Sequence, residues 1–329
     1  MPRIHDFFRR LAANTALVVV AASAAVAAPP SSLWEGSGGG TWSRAARMLE
    51  AQEVCVASIG SRIYVAGGFG INGNTADTVE VYDSVTNVWS FVAPLPQGVN
   101  HCMAAALNNR VYVMGGALAN GASTSATFEY NPQVNAWTPK TSMPTARSAG
   151  MAAVAGGRIY VAGGSPAGSA FEVYDPATNQ WAVLPAMPTP RNHLAGGVIG
   201  GRLFAVGGRP PLILNVLEAF DLAAGTWSTH APMPTGRSGH AAAVVGSCLY
   251  VFGGEGNPNH PNGVFPESEV YNPETDSWDS LTPMPAPRHG LGAAAIGTRI
   301  YLPGGASVQG FGAVATHHVF SVPDVRACH

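Results

Sequence analysis

Three ionisable side chains recur at one position of an internally repeated sequence. Glu53, His101 and His193 each stand fourteen residues before a pair of consecutive glycines, and His240 stands thirteen residues before another such pair. A carboxylate and several imidazoles that converge on one point have the donor atoms for a metal site or for acid–base catalysis. A histidine in a segment such as PTGRSGH is also an ordinary repeat residue, and on that ground we predict no metal site and no cofactor.

Two further sets of charged residues recur in four of the six repeat units. One arginine stands sixteen residues before a diglycine, and one glutamate stands two residues before a strand aromatic. An active site needs one acid and one base rather than a ring of each, so Arg–Glu bridges within the scaffold are favoured. The alternative is that the arginines surround a binding mouth and hold an anionic or hydroxyl-rich ligand bidentately. The two sets are Arg147, Arg191, Arg237 and Arg288, and Glu80, Glu172, Glu218 and Glu269.

These positions belong to a repeat that runs through most of the chain. Six diglycines lie 44 to 51 residues apart, and a tryptophan stands 25 or 26 residues before each of them. The distance from a diglycine to the next tryptophan varies, which indicates that this segment contains a loop whose length differs from unit to unit. A repeat of this period predicts an array of similar supersecondary units. The diglycines begin at Gly67, Gly115, Gly163, Gly207, Gly253 and Gly304, and the tryptophans are Trp42, Trp89, Trp137, Trp181, Trp227 and Trp278.

The two ends of the repeat complement each other. No tryptophan follows Gly305, so the last unit lacks its fourth strand. Trp42, in contrast, belongs to a fourth strand that is not preceded by the first three strands of a unit. Pairing the Trp42 strand with residues 318–322 completes six units and closes a ring. Closure removes the exposed sheet edges that an open array would leave.

The pattern resembles the Kelch repeat. An apolar strand ends in a diglycine, and a segment such as Glu-Val-Tyr-Asp-Pro at residues 172–176 and a tryptophan follow, at about 50 residues per unit. The resemblance covers about residues 42–322. It implies an all-β fold, a six-bladed Kelch β-propeller closed by the N-terminal strand pairing in the last blade. The propeller is expected over residues 41–323, followed by a tail at 324–329.

In Kelch propellers the residues that lead into the first strands line the ligand mouth, so the resemblance implies that Glu53, His101 and His193 face a central channel. Recognition is also expected in the variable loops, of which residues 255–268 form the longest. Arg209 and Glu255 are the only charged residues that directly follow one of the six repeat diglycines. The predicted ligand-binding residues are Arg209, Glu255, His101, His193, His240, Glu53, Arg147, Arg191, Arg237 and Arg288.

The N-terminal residues have the pattern of a signal peptide. A basic segment precedes an apolar stretch at residues 11–25, and Ala25-Val26-Ala27 is a small-residue cleavage site. The alternative is an uncleaved anchor, although the apolar stretch barely reaches the roughly 20 residues that a spanning helix needs. We predict a signal peptide at 1–27, a flexible lead-in at 28–40 and an extracytoplasmic location, either secreted or periplasmic.

Export makes disulfides possible, and the chain has four cysteines. Cys55 and Cys102 stand in the predicted first strands of neighbouring units. Cys248 precedes a second strand and Cys328 lies in the tail, so a Cys248–Cys328 bridge would fix the tail against the fifth unit. Buried free thiols are the alternative. The spacing of the four residues does not match a zinc site, which has closely spaced cysteine pairs.

The charge balance argues against nucleic acid as a partner. The chain has 17 basic and 19 acidic residues, a net charge of −2 and no basic stripe. No membrane contact is expected beyond the export signal, and a monomer is expected.

The resemblance favours a recognition module that binds a protein or glycan ligand, without catalysis. One alternative is a small carbohydrate-active enzyme of the sialic-acid mutarotase type, which needs an acid, a base and an anion-binding arginine. Glu255 or Glu53 with Arg209 would supply them. A structural or surface-display protein is the third class.

Overall fold

The computed structural model describes residues 39–209 and 211–322, together with the backbone of residues 34 and 35. Within these residues every regular element is a β-strand, and the strands form a six-bladed β-propeller of antiparallel sheets. The predicted fold class is therefore confirmed. No helix in this part of the chain is long and apolar enough to cross a membrane.

Blades 1 to 5 each contain four strands whose order in the sheet follows their order in the chain. The first strands of neighbouring blades contact one another, so the first strand of each blade lies innermost. Blade 1 comprises Cys55–Ile59, Arg62–Ala66, Val79–Asp83 and Val88–Phe91; blade 2 Met103–Leu107, Arg110–Met114, Thr127–Asn131 and Ala136–Lys140; blade 3 Met151–Ala155, Arg158–Ala162, Phe171–Asp175 and Gln180–Val183; blade 4 Ala195–Ile199, Arg202–Val206, Leu217–Asp221 and Thr226–His230; blade 5 Ala241–Val245, Cys248–Phe252, Ser268–Asn272 and Ser277–Ser280. The two-residue strands Ala51–Gln52 and Phe69–Gly70 form a small additional sheet.

Blade 6 joins the two ends of the described chain. Its outer strand comes from the N-terminal side, and Trp42 pairs with Phe320 in the register that the repeat predicts. A further strand, at residues 34 and 35, pairs with this outer strand. Part of the segment predicted as a flexible lead-in is therefore a fifth strand of blade 6. In sheet order, the strands of blade 6 are Ala294–Ile296, Arg299–Pro303, His317–Ser321, Thr41–Arg44 and Trp34–Glu35.

The size of the side chains increases from the axis outward. Alanines of the first strands, among them Ala104, Ala153 and Ala243, line the central channel. Farther out, six apolar clusters each fill the space between two neighbouring blades. Aromatic residues of the second strands belong to these clusters, and burial of each one contributes about 1.5 to 3 kcal/mol. They are Tyr64, Tyr112, Tyr160, Phe204, Tyr250 and Tyr301.

Each blade is joined to both of its neighbours by repeated hydrogen bonds. The indole Nε1 of every fourth-strand tryptophan donates to a carbonyl that follows the fourth strand of the preceding blade, at 2.8 to 2.9 Å. The N–H of the second glycine in every diglycine donates to a carbonyl that leads into the following blade, at 2.8 to 3.0 Å. Trp42 to Thr282 and Gly305 to Ala51 are the versions of these bonds that close the ring.

The diglycines are required because two backbones approach closely there. Both glycines have a positive φ in all six pairs. A Cβ on Gly163 would lie 2.8 Å from the carbonyl oxygen of Arg191, and the other first glycines face equivalent carbonyls. A side chain would therefore push neighbouring blades apart.

The four recurring arginines are structural residues rather than ligand contacts. Arg147, Arg191 and Arg237 are buried and pair at 2.5 to 2.8 Å with the recurring glutamate on the third strand of their own blade. Arg288 contacts His318 Nδ1 at 3.2 Å instead. At most 1% of each arginine is exposed, so burial in the scaffold argues against the predicted ligand contacts of Arg147, Arg191, Arg237 and Arg288.

Blade 2 shows that an apolar pair can replace the ion pair. Val99 stands at the arginine position of this blade and Phe128 at the glutamate position. Val99 is 1% exposed, as the arginines are. A buried ion pair is often no more stabilising than apolar residues of similar volume, whereas one unpaired buried charge is strongly destabilising.

We expect Arg147→Val to lower the free energy of unfolding by about 3 to 5 kcal/mol, because Glu172 would remain buried without its counter-charge. The double variant Arg147→Val/Glu172→Phe copies blade 2 and should recover most of that loss. Urea denaturation followed by tryptophan fluorescence measures both values. Arg158→Val, at a half-exposed arginine of the same blade, is the control and should change stability by less than about 0.5 kcal/mol. A double variant as unstable as the single one would contradict this account.

A disulfide connects blades 1 and 2. Cys55 begins the first strand of blade 1, Cys102 directly precedes the first strand of blade 2, and their Cα atoms are 5.6 Å apart. The alternative of free thiols is wrong for this pair. Cys248 is completely buried in blade 5. Its predicted partner, Cys328, lies outside the described residues, so that bridge stays a prediction.

The disulfide closes a loop with a sequence separation of 47 residues, and cross-links of this kind typically stabilise by about 2 to 4 kcal/mol. We expect the double variant Cys55→Ala/Cys102→Ala to lose stability in that range. Denaturation of the wild type and the variant, both without reductant, tests this. Equal midpoints would show that the bridge adds nothing to the packing of blades 1 and 2.

Candidate functional site

Six backbone segments meet at the propeller axis and form a closed ring of hydrogen bonds. One residue from each segment donates its N–H to the carbonyl of the equivalent residue in the preceding blade, at 2.6 to 2.9 Å. All six residues have a left-handed φ, between 52 and 60°. The ring narrows the channel and brings six side-chain positions together. In order, its members are Glu53, His101, Ala149, His193, Gly239 and Gly290, which bonds back to Glu53.

Three ring positions carry ionisable residues although glycine suits this backbone conformation better. A left-handed conformation costs a non-glycine residue about 1 to 2 kcal/mol. Blades 5 and 6 avoid this cost with Gly239 and Gly290. Residues held in sparsely populated conformations by the surrounding structure cluster at functional sites. The side chains of Glu53, His101 and His193 are therefore the first candidates for function at the axis.

These three side chains form one cluster. His101 Nε2 lies 3.3 Å from a carboxylate oxygen of Glu53. The rings of His101 and His193 meet edge to face, with centroids 5.0 Å apart, although one blade separates them in the chain. Ala149 is the ring residue of that intervening blade, and its small side chain leaves the two histidines room to meet. One donor atom from each of the three residues lies within 4.8 Å of the other two.

Asparagines fix the orientation of both imidazoles. Nδ1 of His101 contacts Oδ1 of Asn100, and Nδ1 of His193 contacts Oδ1 of Asn192, both at 2.6 Å. Since an amide oxygen only accepts, Nδ1 carries a proton in each ring. Nε2 of His193 lies 3.1 Å from the guanidinium of Arg209, which only donates. The lone pair of His193 is therefore on Nε2, where it accepts from Arg209.

Arg209, Glu255 and His289 extend the cluster toward the loops. Arg209 forms an ion pair with Glu255. His289 Nδ1 lies 3.4 Å from Glu53 and 3.6 Å from Glu255, and its Nε2 contacts the carbonyl of Val308 at 2.9 Å. Two carboxylates thus face a guanidinium and three imidazoles in one connected network.

The network changes the protonation of its members. Burial opposes ionisation of Glu53, but the attraction of His101 and a hydrogen bond from His289 outweigh it and lower the pKa of Glu53 to about 2. Burial, reinforced by the charge of Arg209 and partly offset by Glu53, lowers the pKa of His193 to about 3. Burial also acts to lower the pKa of His289, but the contacts with Glu53 and Glu255 raise it overall. At neutral pH the site therefore contains an ionised Glu53 and a neutral His193.

A cleft of 540 Å³ opens above this network on the loop side of the ring. Phe69 packs edge to face on His101, with ring centroids 5.8 Å apart. Phe311 is 48% exposed. Gln52 holds the loop of Phe311 through two 2.8 Å hydrogen bonds to its backbone. The cleft is lined by Gln52, Glu53, Phe69, Gly73, His101, Arg209, Glu255, His289, Gln309, Gly310 and Phe311.

The structure brings together five of the predicted residues, Glu53, His101, His193, Arg209 and Glu255. His240 is not among them: it is 4% exposed, packs against Gly207 and does not line the cleft. His240 instead lines a smaller cavity at the ring, together with Glu53, His101 and His193, and its contact with a ligand stays a prediction.

The predicted set of ligand-binding residues does not include His289, Phe69 and Phe311, which are among the residues that line the cleft. His289 stands one residue before the ring position of blade 6, so its place in the repeat was a usable signal. Phe69 directly follows the first diglycine, as Arg209 and Glu255 follow theirs. Phe311 lies in a loop of variable length, and no repeat position marks it.

A family model, the KLHDC2/KLHL20/DRC7 Kelch-repeats domain, matches residues 46–208 and 197–325. The chain belongs to the Kelch-repeat family. The repeat register, the closure of the ring and this match agree, so the Kelch identification made from the residues is confirmed.

The other similarities of this Kelch propeller are partial or limited to the fold. F-box/kelch-repeat protein At1g67480 of Arabidopsis thaliana is 34% identical over 67 residues, which are 20% of this chain and 18% of that protein. Kelch-like protein terF of Aspergillus terreus is 39% identical over 56 residues, 17% and 12% of the two chains. The chain thus spans less than a fifth of the length of these curated relatives. The solved structure of YjhT superposes with a TM-score of 0.70 at 18% identity, over 82% of this chain and 95% of YjhT, and shows the shared fold.

Gly290 tests how closely the ring and the cluster are linked. A Cβ at Gly290 would collide with the carboxylate of Glu53. Gly297 has the same φ of 59°, but no atom lies within 4 Å of its Cβ position. Both Gly→Ala variants should lose about 1 to 2 kcal/mol for the left-handed backbone, and Gly290→Ala should lose more because Glu53 must move. Chemical denaturation measures the difference, and equal losses would show that Glu53 has free space.

Proposed function

We propose that the protein is an exported recognition module that binds a glycan in the cleft above the ring. The observation that carries this proposal is the combination of two aromatic side chains, Phe69 and Phe311, with the charged network of Glu53, His101 and Arg209 in one concave site. Small-molecule sites typically combine apolar and aromatic walls with a few convergent polar groups, and their volumes are about 300 to 1,000 Å³. The cleft meets both criteria.

The residue types fit the chemistry of a sugar. The aliphatic face of a pyranose can pack on an aromatic ring such as that of Phe311, while its hydroxyls exchange hydrogen bonds with carboxylates and imidazoles. The guanidinium of Arg209 is 34% exposed and is shaped to hold a carboxylate or two vicinal hydroxyls bidentately. A glycan with an acidic sugar is the ligand that uses all of these groups.

The proposed export rests on two observations. Residues 1–27 have the order of segments typical of a signal peptide, and they lie outside the described residues. The disulfide between Cys55 and Cys102 is of a kind that persists in oxidising compartments.

A protein ligand is the other form of the same recognition function, since the Kelch propeller is generally a protein-binding module. Ile71, Leu212 and Phe311 are large apolar residues that are about half exposed or more. Phe311 lines the cleft, and Ile71 and Leu212 follow the first and fourth diglycines. A protein would use this apolar loop surface, whereas a glycan would use the charged interior.

The second candidate function is a mutarotase-type reaction on a bound sugar. Exchange of anomers needs a base for the anomeric hydroxyl and an acid for the ring oxygen. The ionised carboxylate of Glu53 could accept the proton, and an imidazole 3.3 to 3.4 Å away, in His101 or His289, could donate one. Arg209 would hold the carboxylate of an acidic sugar.

A glycan array with the purified mature protein tests the proposal, and an NMR measurement of anomer exchange on any sugar retained separates binding from catalysis. We expect retention of acidic glycans. Arg209→Ala should weaken binding at least about tenfold, because a charge-assisted hydrogen bond contributes about 1.5 to 3 kcal/mol. Phe311→Ala should weaken binding as well.

Matched controls lie on the outside of the propeller. Arg158→Ala removes a half-exposed arginine of blade 3, and Phe91→Ala removes an exposed phenylalanine of blade 1. Neither should change retention. If no glycan is retained, or if Arg209→Ala binds as well as the wild type, the cleft is not a glycan site.

A further inference from the structure

In place of the expectation from the repeat pattern that no metal site is present, we propose that Glu53, His101 and His193 bind a divalent first-row transition-metal ion of the zinc or iron(II) class at the propeller axis. Two imidazoles and one carboxylate are a donor set that such ions accept, with further coordination positions left open. The proposal concerns metal binding alone and does not rest on a glycan ligand.

The distances between the donor atoms of the three residues are close to those in a metal site. The atoms lie within 4.8 Å of one another. Bonds from zinc to nitrogen or oxygen are about 2.0 to 2.2 Å long, so two donors in a tetrahedral site are roughly 3.4 Å apart. Small side-chain rotations would therefore bring all three donors into range of one ion, and no backbone change is needed.

The asparagines beside the two histidines act as an outer shell. Metal-binding histidines commonly donate their second ring N–H to an oxygen, which fixes the ring and leaves the other nitrogen as the ligand. Asn100 and Asn192 accept from Nδ1 of His101 and His193 in the same way, at 2.6 Å. Asn100 also donates to Thr75 Oγ1 at 2.7 Å, which orients its amide. Nε2 is thereby left as the ligand atom of each histidine, and that of His101 lies 3.3 Å from the carboxylate of Glu53.

The backbone holds these ligands in a rigid frame. Glu53 and His101 lie in adjacent blades, joined by the bond from the His101 N–H to the Glu53 carbonyl at 2.9 Å. The disulfide binds the same two segments two residues after Glu53 and one residue after His101. A site supported by rigid elements loses little freedom when the ion binds.

Two described groups compete with a cation here: Arg209 for His193, and His289, whose Nδ1 lies 3.4 Å from Glu53, for the carboxylate. Its guanidinium donates to His193 Nε2 at 3.1 Å, so an ion must displace it from that nitrogen. Glu255 already pairs with Arg209 and would keep the guanidinium in place on the loop side. Arg209 therefore competes with the ion for His193, and its removal should strengthen metal binding.

The experiment uses the purified mature protein after removal of metals with a chelator. Zn²⁺ is titrated by calorimetry, and Co²⁺ by its visible absorption, which reports the ligand geometry. We expect one ion per chain. Glu53→Gln and His193→Ala should each weaken binding more than about 100-fold, and Asn192→Ala about 10- to 100-fold as an outer-shell change. Arg209→Ala should bind Zn²⁺ more tightly than the wild type.

His260→Ala is the control, because this loop histidine lies outside the cluster, and it should bind as the wild type does. Circular dichroism and denaturation midpoints confirm that each variant is folded. The proposal is overturned if no stoichiometric ion binds, if Glu53→Gln and His193→Ala bind normally, or if Arg209→Ala binds more weakly. Because sugar is absent throughout, failure here leaves the glycan proposal untouched, and failure of the array leaves this result valid.

Discussion

The closed ring of six N–H to carbonyl bonds at the axis is the constraint on which the rest of the structure depends. It forces one residue from each blade into a left-handed conformation, with φ between 52 and 60°. At that point six chain segments are close enough to bond in a circle, so the side chains of non-adjacent blades can meet. His101 and His193 are in contact for this reason, across Ala149. The chemistry of the site thus follows from the closure of the backbone.

Closure of the propeller is supported by several sets of contacts that repeat in every blade. The tryptophan indoles and the second glycines each supply six interblade hydrogen bonds, including those between blades 6 and 1. The buried Arg–Glu pairs act within single blades, and blade 2 manages with Val99 and Phe128. Residues that recur therefore serve the scaffold. The six ring positions differ in residue type between blades, being glutamate, histidine, alanine or glycine. These non-repeating residues make the axis asymmetric and supply its reactive groups.

The sequence predicted the blade number, the strand order and the closing strand, because the diglycine and tryptophan spacing is a direct record of blade geometry. It also identified five of the residues that meet at the site. It could not decide the role of Arg147 and its equivalents, since one spacing fits both a buried ion pair and a surface ring. Phe311 was not predicted because its position depends on how Gln52 holds a loop, and no periodic pattern encodes that contact.

The ring also determines how a ligand can be recognised. Consecutive left-handed or turn residues often expose backbone N–H groups that bind anions, but here each of the six N–H groups is used by the neighbouring carbonyl. None of these six N–H groups is therefore available to a ligand. Below the ring, the channel is lined mainly by alanine. Specific contacts at the axis must come from side chains on the loop side. There Glu53 is anionic and His193 is neutral. An incoming group therefore meets an ionic acceptor in Glu53, and it reaches the Nε2 lone pair of His193 only by displacing Arg209.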